Sequence, residues 1–258
     1  MQIHLWVVYY LMPNDAISYL TPLPEENNME VMRDQLTHAV EDYLKAIYLL
    51  TNEFGRATTT QIANQLDVKP GSVTGMIQKM AATSPPLVDY QKHRGVVLTP
   101  QGEAVALEII RHHRLLELFL HETLGYSWDM VHGEADRLEH VISEDFEERI
   151  AEVLGDPSHD PHGDPIPTRD FQMPAASTLQ LSALRPGQQA SIQWVDSSDP
   201  ELLRYLSSMG LVPQASLEVL DYSEYDGNLT LKVRGQAETF VLGPRVTAQI
   251  YMEEPEPA

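Results

Sequence analysis

Four side chains able to bind a metal stand at i, i+4, i+7 and i+8 in the short segment VHGEADRLEHVISE (131–144): His132, Asp136, Glu139 and His140. An α-helix turns once in about 3.6 residues and rises about 1.5 Å per residue, so this spacing sets all four along one side. The adjoining stripe of Val131, Ala135, Leu138 and Ile142 is apolar. A helix from Ser127 to Val141 is therefore expected, with a core face and a ligand-rich face side by side. Upstream, RHHRLLE (111–117) offers His113 and Glu117 at i, i+4, and a helix near the start offers Glu41 and Asp42. Imidazole nitrogens and carboxylate oxygens without sulfur suit Mn²⁺ or Fe²⁺ in five- to six-fold coordination, although raw affinity favours Zn²⁺ or Cu²⁺, so selectivity rests on geometry and availability.

Charged residues at i, i+4 also make ordinary solvated helix faces, and one His/Glu pair alone is weak evidence for a metal. Three such groups in one region are stronger. No HExxH is present, which removes the zinc-peptidase arrangement, and the Glu-x-x-His pairs of ferritin-like bundles are missing. A further set, His159, Asp160, His162 and Asp164, lies among prolines in GDPSHDPHGDPIPTRDFQMP (155–174). Prolines favour an extended linker there, and no second element obviously faces the set, so it is read as linker or surface packing.

The elements that must position these residues follow from the pattern. Leu36, Val40, Leu44, Ile47 and Leu50 recur at helical spacing between Gln35 and Asn52. TTTQIANQLDV (58–68) is a short helix opened by threonines suited to capping; Lys69, Pro70 and Gly71 break it, and SVTGMIQKMA (72–81) forms another. Two short helices around a tight break are a helix-turn-helix. LVDYQ and GVVLT flank KHRG (92–95) as a hairpin, completing a winged helix. Long helices are expected at Pro100–Thr123 and Ser127–Val141, and a third at Ser143–Leu154 with Ser143 as its cap. From about Thr178, short β-type runs (ASIQWV, SLEVLDY, LTLKVRG, ETFVLG) surround one helical insert, PELLRYLSSMG, as expected of a small β-barrel.

The 258 residues have 43% hydrophobic content, as in a globular chain of one large or two ordinary domains. There is no cysteine, which excludes disulfides, thiolate metal sites and cysteine nucleophiles. A formal charge of −21 argues against nucleic acid, yet residues 55–114 carry seven Lys or Arg against four acids, leaving −24 for the remainder. The opening run IHLWVVYYLM is too short to span a bilayer and lacks the basic flank of a signal peptide. Residues 1–34 are read as an appendage without assigned function, with Met29 and Met32 as alternative starts.

The order winged helix, RHHRLLE, VHGEADRLEHVIS, HGDPIP resembles the metal-dependent transcriptional repressors of the diphtheria-toxin-repressor and manganese-transport-regulator family, over about Gln35 to Pro167. LSALRPGQQASI through GLVPQASLEVL resembles the SH3-like domain of the longer members, also found alone in ferrous-iron transport proteins. The resemblance implies a mainly α winged helix-turn-helix domain (35–102) and a helical dimerisation and metal-binding domain (103–154). A Pro-rich linker (155–177), an SH3-like β-barrel (178–252) and an acidic tail (253–258) follow. It assigns a primary metal site to Asp42, Asp136, Glu139 and His140, and an ancillary one to His113, Glu117 and His132. The family's remaining ancillary ligands, a Glu and a Gln from the SH3-like domain, fall near Gln193 to Ser197. No Glu occurs there, so Asp196 or Gln193 is the candidate. The iron branch has Met and Cys where this chain has Asp42 and Asp136, which favours Mn²⁺ with Fe²⁺ as the alternative. The manganese branch's extra carboxylate is Lys45 here, which puts a second ion coordinated as in that branch in doubt.

Ser72, Thr74 and Gln78 are the polar recognition-helix residues able to reach bases, with Lys69, Lys79 and wing residue Arg94 placed for phosphate or minor groove. The family's base-contacting Gln position is Gly75, which shifts weight to indirect readout. The expected protein is a cytoplasmic homodimer that binds a palindromic DNA operator and represses metal-uptake genes, with the metal as allosteric corepressor. No membrane or small organic substrate is expected as a partner. A winged-helix regulator indifferent to metal is the alternative. An enzyme would need an open coordination position and a substrate pocket, and with neither a nucleophile motif nor a phosphate loop in the sequence, none is expected.

Overall fold

The computed structural model describes residues 36–254. The appendage read at 1–34 and residues 255–258 of the acidic tail lie outside them. The chain divides into two compact units at Ala106/Leu107.

In the first unit, α1 (His38–Phe54) buries Val40, Leu44, Ile47 and Leu50 at helical spacing. It stops at Gly55, whose φ of 77° lets its N–H close back on the Thr51 carbonyl. Helix α2 (Thr59–Gln65) begins with a reciprocal capping box between Thr58 and Gln61. Helix α3 (Pro70–Ala81) starts on Pro70, where the missing N–H costs nothing, and buries Val73, Ile77 and Met80. Strands β1 (Val88–Gln91) and β2 (Gly95–Leu98) pair antiparallel, Val88 opposite Leu98 and Gln91 opposite Gly95. Ala57 bridges to Val96, and a Cβ at Gly95 would lie 2.6 Å from the Ala57 oxygen, so the wing closes on the α1–α2 connection only with glycine there. Helix, helix, helix, hairpin is the expected winged helix.

Helix α4 (Pro100–Glu122) runs from the first unit into the second. In the second unit it packs with α5 (Val131–Leu138) and α6 (Glu144–Val153) around Leu115, Leu116, Leu120, Val131, Ala135 and Ile150. Ser143 caps α6 by accepting from the Phe146 N–H, as its position predicts. Helix α5 is shorter than expected. Residues 127–130 form a turn, Met130 N–H to Ser127 carbonyl, because Trp128 is drawn into the core of the following domain. Glu139 caps the helix with helical backbone angles and a bond to the Ala135 carbonyl, so the ligand face runs on past its end.

The Pro-rich segment corrects the extended-linker reading. Residues 159–165 fold into a tight loop: Asp160 N–H donates to the Asp164 carbonyl, while Asp160 Oδ1 accepts from the N–H groups of His162 (2.8 Å) and Asp164 (3.0 Å). Asp160, His162 and Ile166 are buried, Ile166 within the helical core; only His159 of the four polar residues is at the surface. Proline bars regular ladders without barring burial, and here an Asx turn takes up the backbone donors.

Beyond it, five antiparallel strands form a sheet of order β6-β5-β4-β3-β7: β3 (Gln189–Val195), β4 (Ser216–Tyr222), β5 (Leu229–Val233), β6 (Thr239–Leu242) and β7 (Ile250–Met252). Helix α7 (Pro200–Ser208) joins β3 to β4, and a short turn, α8 (Pro244–Thr247), precedes β7. Leu229, Leu231 and Val233 alternate inward, and bulges at Ile192/Trp194 and Val219/Asp221 curve the sheet around its core. This is the expected SH3-like domain.

Candidate metal centre

Helix α4 presents His113 and Glu117 one turn apart, and α5 presents His132 across from them. His113 Nε2, Glu117 Oε1 and His132 Nδ1 form a triangle with all three sides 3.0 Å. Adjacent ligands of an octahedral ion with bonds of about 2.1 Å stand about 3.0 Å apart. Two imidazoles and a carboxylate at that spacing fit three facial positions around a divalent ion. His113 and Glu117 are buried and His132 is partly exposed. Burial pushes the Glu117 carboxyl up, but the charge of His113 and hydrogen bonds from His113, His132 and His162 more than reverse this and hold it well below the carboxylate range.

The other edge of His113 meets a second group. Its Nδ1–H donates to Glu139 Oε2 at 2.5 Å and lies 3.3 Å from Asp136 Oδ1, the kind of outer carboxylate partner that orients a ligating imidazole. His140 Nε2 stands 3.4 Å from Glu139 Oε1, and Asp136 Oδ2 stands 3.6 Å from His132 Nε2. Asp136, Glu139 and His140 thus gather at the end of α5, with Glu139 almost wholly buried. Asp42 lies half-buried on α1 of the first unit, beside buried Glu41.

Two neighbours escape a spacing argument. His112 is fully buried; its Nδ1–H donates to the Glu139 backbone carbonyl (3.1 Å) and its Nε2 stands 3.0 Å from Glu147 Oε2. Arg111 donates to Glu147 Oε1 (2.6 Å) and to the Pro167 carbonyl (2.7 Å). The only trace in the sequence is the doubled pair in RHHR. Asp196, the expected ligand from the SH3-like domain, is not brought into the triangle. Its Oδ1 accepts from its own turn at Ser198 N–H, and its charge bears on Asp164. Gln193 Oε1 likewise accepts from Ser177 N–H. Beside Glu117 stand Asp160 and His162, the residues read as linker.

On the winged helix, Lys69, Ser72, Gln78 and Lys79 are exposed along or just before α3, and Arg94 is exposed at the wing tip. Thr74 is half-buried and its hydroxyl donates to the Pro70 carbonyl (3.2 Å), so it is the least available of the predicted readers.

Comparison with known proteins bears on the same regions. Residues 35–96 match the iron-dependent repressor N-terminal DNA-binding domain, 99–168 the iron-dependent repressor metal-binding and dimerisation domain, and 179–254 the FeoA domain. The iron-dependent repressor IdeR of Mycobacterium tuberculosis is 32% identical over 198 residues, which cover 72% of this chain and 85% of that protein. The chain belongs to the iron-dependent repressor family. The regulator MntR of Geobacillus kaustophilus is 36% identical over 118 residues, 46% of this chain and 82% of that protein. Among solved structures, a manganese-dependent transcriptional repressor in complex with manganese matches with a TM-score of 0.74 at 37% identity, covering 83% of this chain and 98% of that one. As a member of this family the protein is a metal-dependent, DNA-binding transcriptional repressor and not an enzyme. The matched metal-binding and dimerisation domain runs on to residue 168, across the loop that holds Asp160 and His162.

Proposed function

We propose that this repressor is a Mn²⁺-responsive homodimer of the cytoplasm that binds a palindromic operator and lowers expression of metal-uptake genes. Asp42, Asp136, Glu139 and His140 hold the regulatory ion, and His113, Glu117 and His132 hold an ancillary one. The observation that carries the metal choice is the donor set, which offers carboxylate and imidazole with no thiolate or thioether at Asp42 or Asp136. In this reading Asp42 supplies the tie from the DNA-binding unit to the ligand face of α5. When bound, the ion neutralises carboxylates that otherwise repel one another and the phosphates of DNA. Exposed Ser72 and Gln78 read bases, with half-buried Thr74 the least available reader, and Lys69, Lys79 and Arg94 grip the backbone. Met130, Val141, Phe146 and Val153 are exposed apolar side chains near the three helices, available for burial in the dimer.

Iron is the second reading, since IdeR is an iron-dependent repressor related over most of its length. Mobility shift on a palindromic promoter duplex tests both. Affinity should rise about 5- to 150-fold from chelator to saturating Mn²⁺, the usual range of allosteric coupling. Equal affinity with chelator and with Mn²⁺ overturns the regulatory claim. A response to anaerobic Fe²⁺ at lower free concentration than to Mn²⁺ transfers it to iron.

A further inference from the structure

His112 of α4 takes no part in either proposed ion site, yet it is held as a ligand is held. The side chain is fully buried, and its Nδ1–H donates to the Glu139 backbone carbonyl at 3.1 Å. A carbonyl oxygen only accepts, so Nδ1 carries the hydrogen and Nε2 carries the lone pair of the neutral ring. A metal-ligating histidine characteristically ties its other N–H to a carbonyl or carboxylate in this way. Nε2 faces the first turn of α6, where Glu147 Oε2 stands at 3.0 Å and Glu144 Oε1 at 3.5 Å. Glu108, one turn before His112 on α4, is buried and brings a carboxylate oxygen to the same point. One ligand atom each from Glu108, His112 and Glu144 lie within 4.8 Å of one another.

Around an octahedral ion with bonds of about 2.1 Å, adjacent ligands stand about 3.0 Å apart and opposite ones about 4.2 Å. A small closure of the side chains therefore brings these atoms around one ion. Acidic residues at a helix start commonly answer the helix dipole from solvent. Here Glu108 and Glu147 are buried instead, where a carboxylate requires a compensating charge. Arg111 supplies one, but its guanidinium is committed to Glu147 Oε1 (2.6 Å) and the Pro167 carbonyl (2.7 Å), and Oε2 is the oxygen turned to His112. The Glu144 side chain, 39% exposed, gives an ion a way in from solvent. Three carboxylates with one imidazole are a donor set suited to Mn²⁺ or Fe²⁺.

We propose that Glu108, His112, Glu144 and Glu147 Oε2 form a further divalent-cation site between α4 and α6. It shares no side chain with the Asp42–Asp136–Glu139–His140 set or with the His113–Glu117–His132 triangle. An ion there fixes α4 against α6, and through the His112 bond it steadies the end of α5 that carries Glu139. The inference goes beyond the proposed function and does not depend on it. Equilibrium dialysis of the full-length protein against Mn²⁺ and Co²⁺ counts ions per chain in the wild type, Glu108→Gln, Glu144→Gln, Asp42→Asn/His140→Ala, and Glu144→Gln combined with Asp42→Asn/His140→Ala. Gln keeps the side-chain shape without the charge. The expected result is that Glu108→Gln and Glu144→Gln each bind one ion fewer than the wild type and the combined variant two fewer. If either Gln variant keeps the wild-type number, the new site is refuted, whatever Asp42→Asn/His140→Ala does. If both Gln variants lose one ion and Asp42→Asn/His140→Ala loses none, the new site stands and the regulatory assignment fails. If the combined variant loses only the one ion that each parent loses, a single shared centre replaces two and the proposal is overturned. Should Glu108→Gln not fold, Glu144→Gln decides.

Discussion

The bond between His113 and Glu139 makes one side chain serve two centres. Glu139 is a proposed ligand of the regulatory ion, yet its Oε2 also receives the Nδ1–H of His113, whose other nitrogen is a corner of the triangle. Glu139→Gln keeps the shape and an acceptor oxygen but removes the charge that sharpens the His113 lone pair. Loss of such an outer partner costs about 10- to 100-fold in metal affinity, or about 1.4 to 2.7 kcal/mol. Asp136 Oδ1, 3.3 Å from the same nitrogen, compensates in part. The single variant should therefore lie near the tenfold end and Asp136→Asn/Glu139→Gln near the hundredfold end. The reference must lose the regulatory ion without touching His113, and Asp42→Asn/His140→Ala does so. Competition of Zn²⁺ with a chromophoric chelator measures the affinity of the ion that His132→Ala abolishes. Equal affinity for that ion in Glu139→Gln and in Asp42→Asn/His140→Ala would refute the coupling, because the two centres would then be independent.

Gly163→Ala should lower the melting temperature by about 4–8 °C in calorimetry, from at least about 2 kcal/mol of left-handed strain and clash, since a Cβ there would fall 2.0 Å from the Gln193 oxygen. Gly155→Ala, at φ 77° with open space around it, should cost only about 1 kcal/mol; equal costs would mean the loop is not pinned to β3. Burial raises the Glu147 carboxyl, and His112 and Arg111 more than reverse this, so its folded pKa lies below the ordinary 4.5. A depressed folded pKa contributes stability that is complete above that ordinary value and is lost as pH falls through the folded one. Denaturant melts from pH 6 to pH 3 should therefore show a shallower acid limb in Glu147→Gln. Arg94→Ala should weaken specific and non-specific DNA binding alike and reduce the magnitude of the salt slope by about 1, measured by fluorescence anisotropy at several salt concentrations.

What could be read from the residues alone was what periodicity and capping encode. The spans of α1, α2, α3 and α4, the wing and the Ser143 cap all come from local signals, and β3 to β6 fall on the four alternating runs. Strand β7 is three residues long and exists by pairing with β3, which no window of that length can announce. Helix α5 begins later than its pattern because Trp128 has a tertiary obligation. The same limit governs the site. His113, Glu117 and His132 share a spacing argument and meet, whereas Asp160 and His162 are joined to Glu117 only by a loop whose course depends on Gly163 and an Asx turn. Proline density signalled the end of helix correctly and gave a false impression of solvent exposure.

The run Arg111-His112-His113-Arg114 shows why a charged tetrapeptide can sit inside this chain. Successive residues on a helix point about 100° apart, so four in a row face nearly every direction. Arg111 turns to Glu147 of α6 and the Pro167 carbonyl, and His112 to Glu147 and the Glu139 backbone. His113 turns to Glu139, Glu117 and His132, and Arg114 to Asp164 and the Pro165 carbonyl. A solvated helix would leave at least one of these directions to water. Here α4 is enclosed by α5, α6 and the Pro-rich loop, and each polar head meets a partner of opposite charge or a carbonyl. The loop is therefore part of the wall that covers the buried His113 and Glu117 side of the centre, while His132 stays partly exposed. Removing charge from it, as in Asp164→Asn, should disturb Arg114 and, through the adjacent turn of α4, the His113–Glu117 edge of the triangle. A lower affinity for the ion that depends on His132, with the winged helix still folded, is the expected result; unchanged affinity would confine the loop to a packing role.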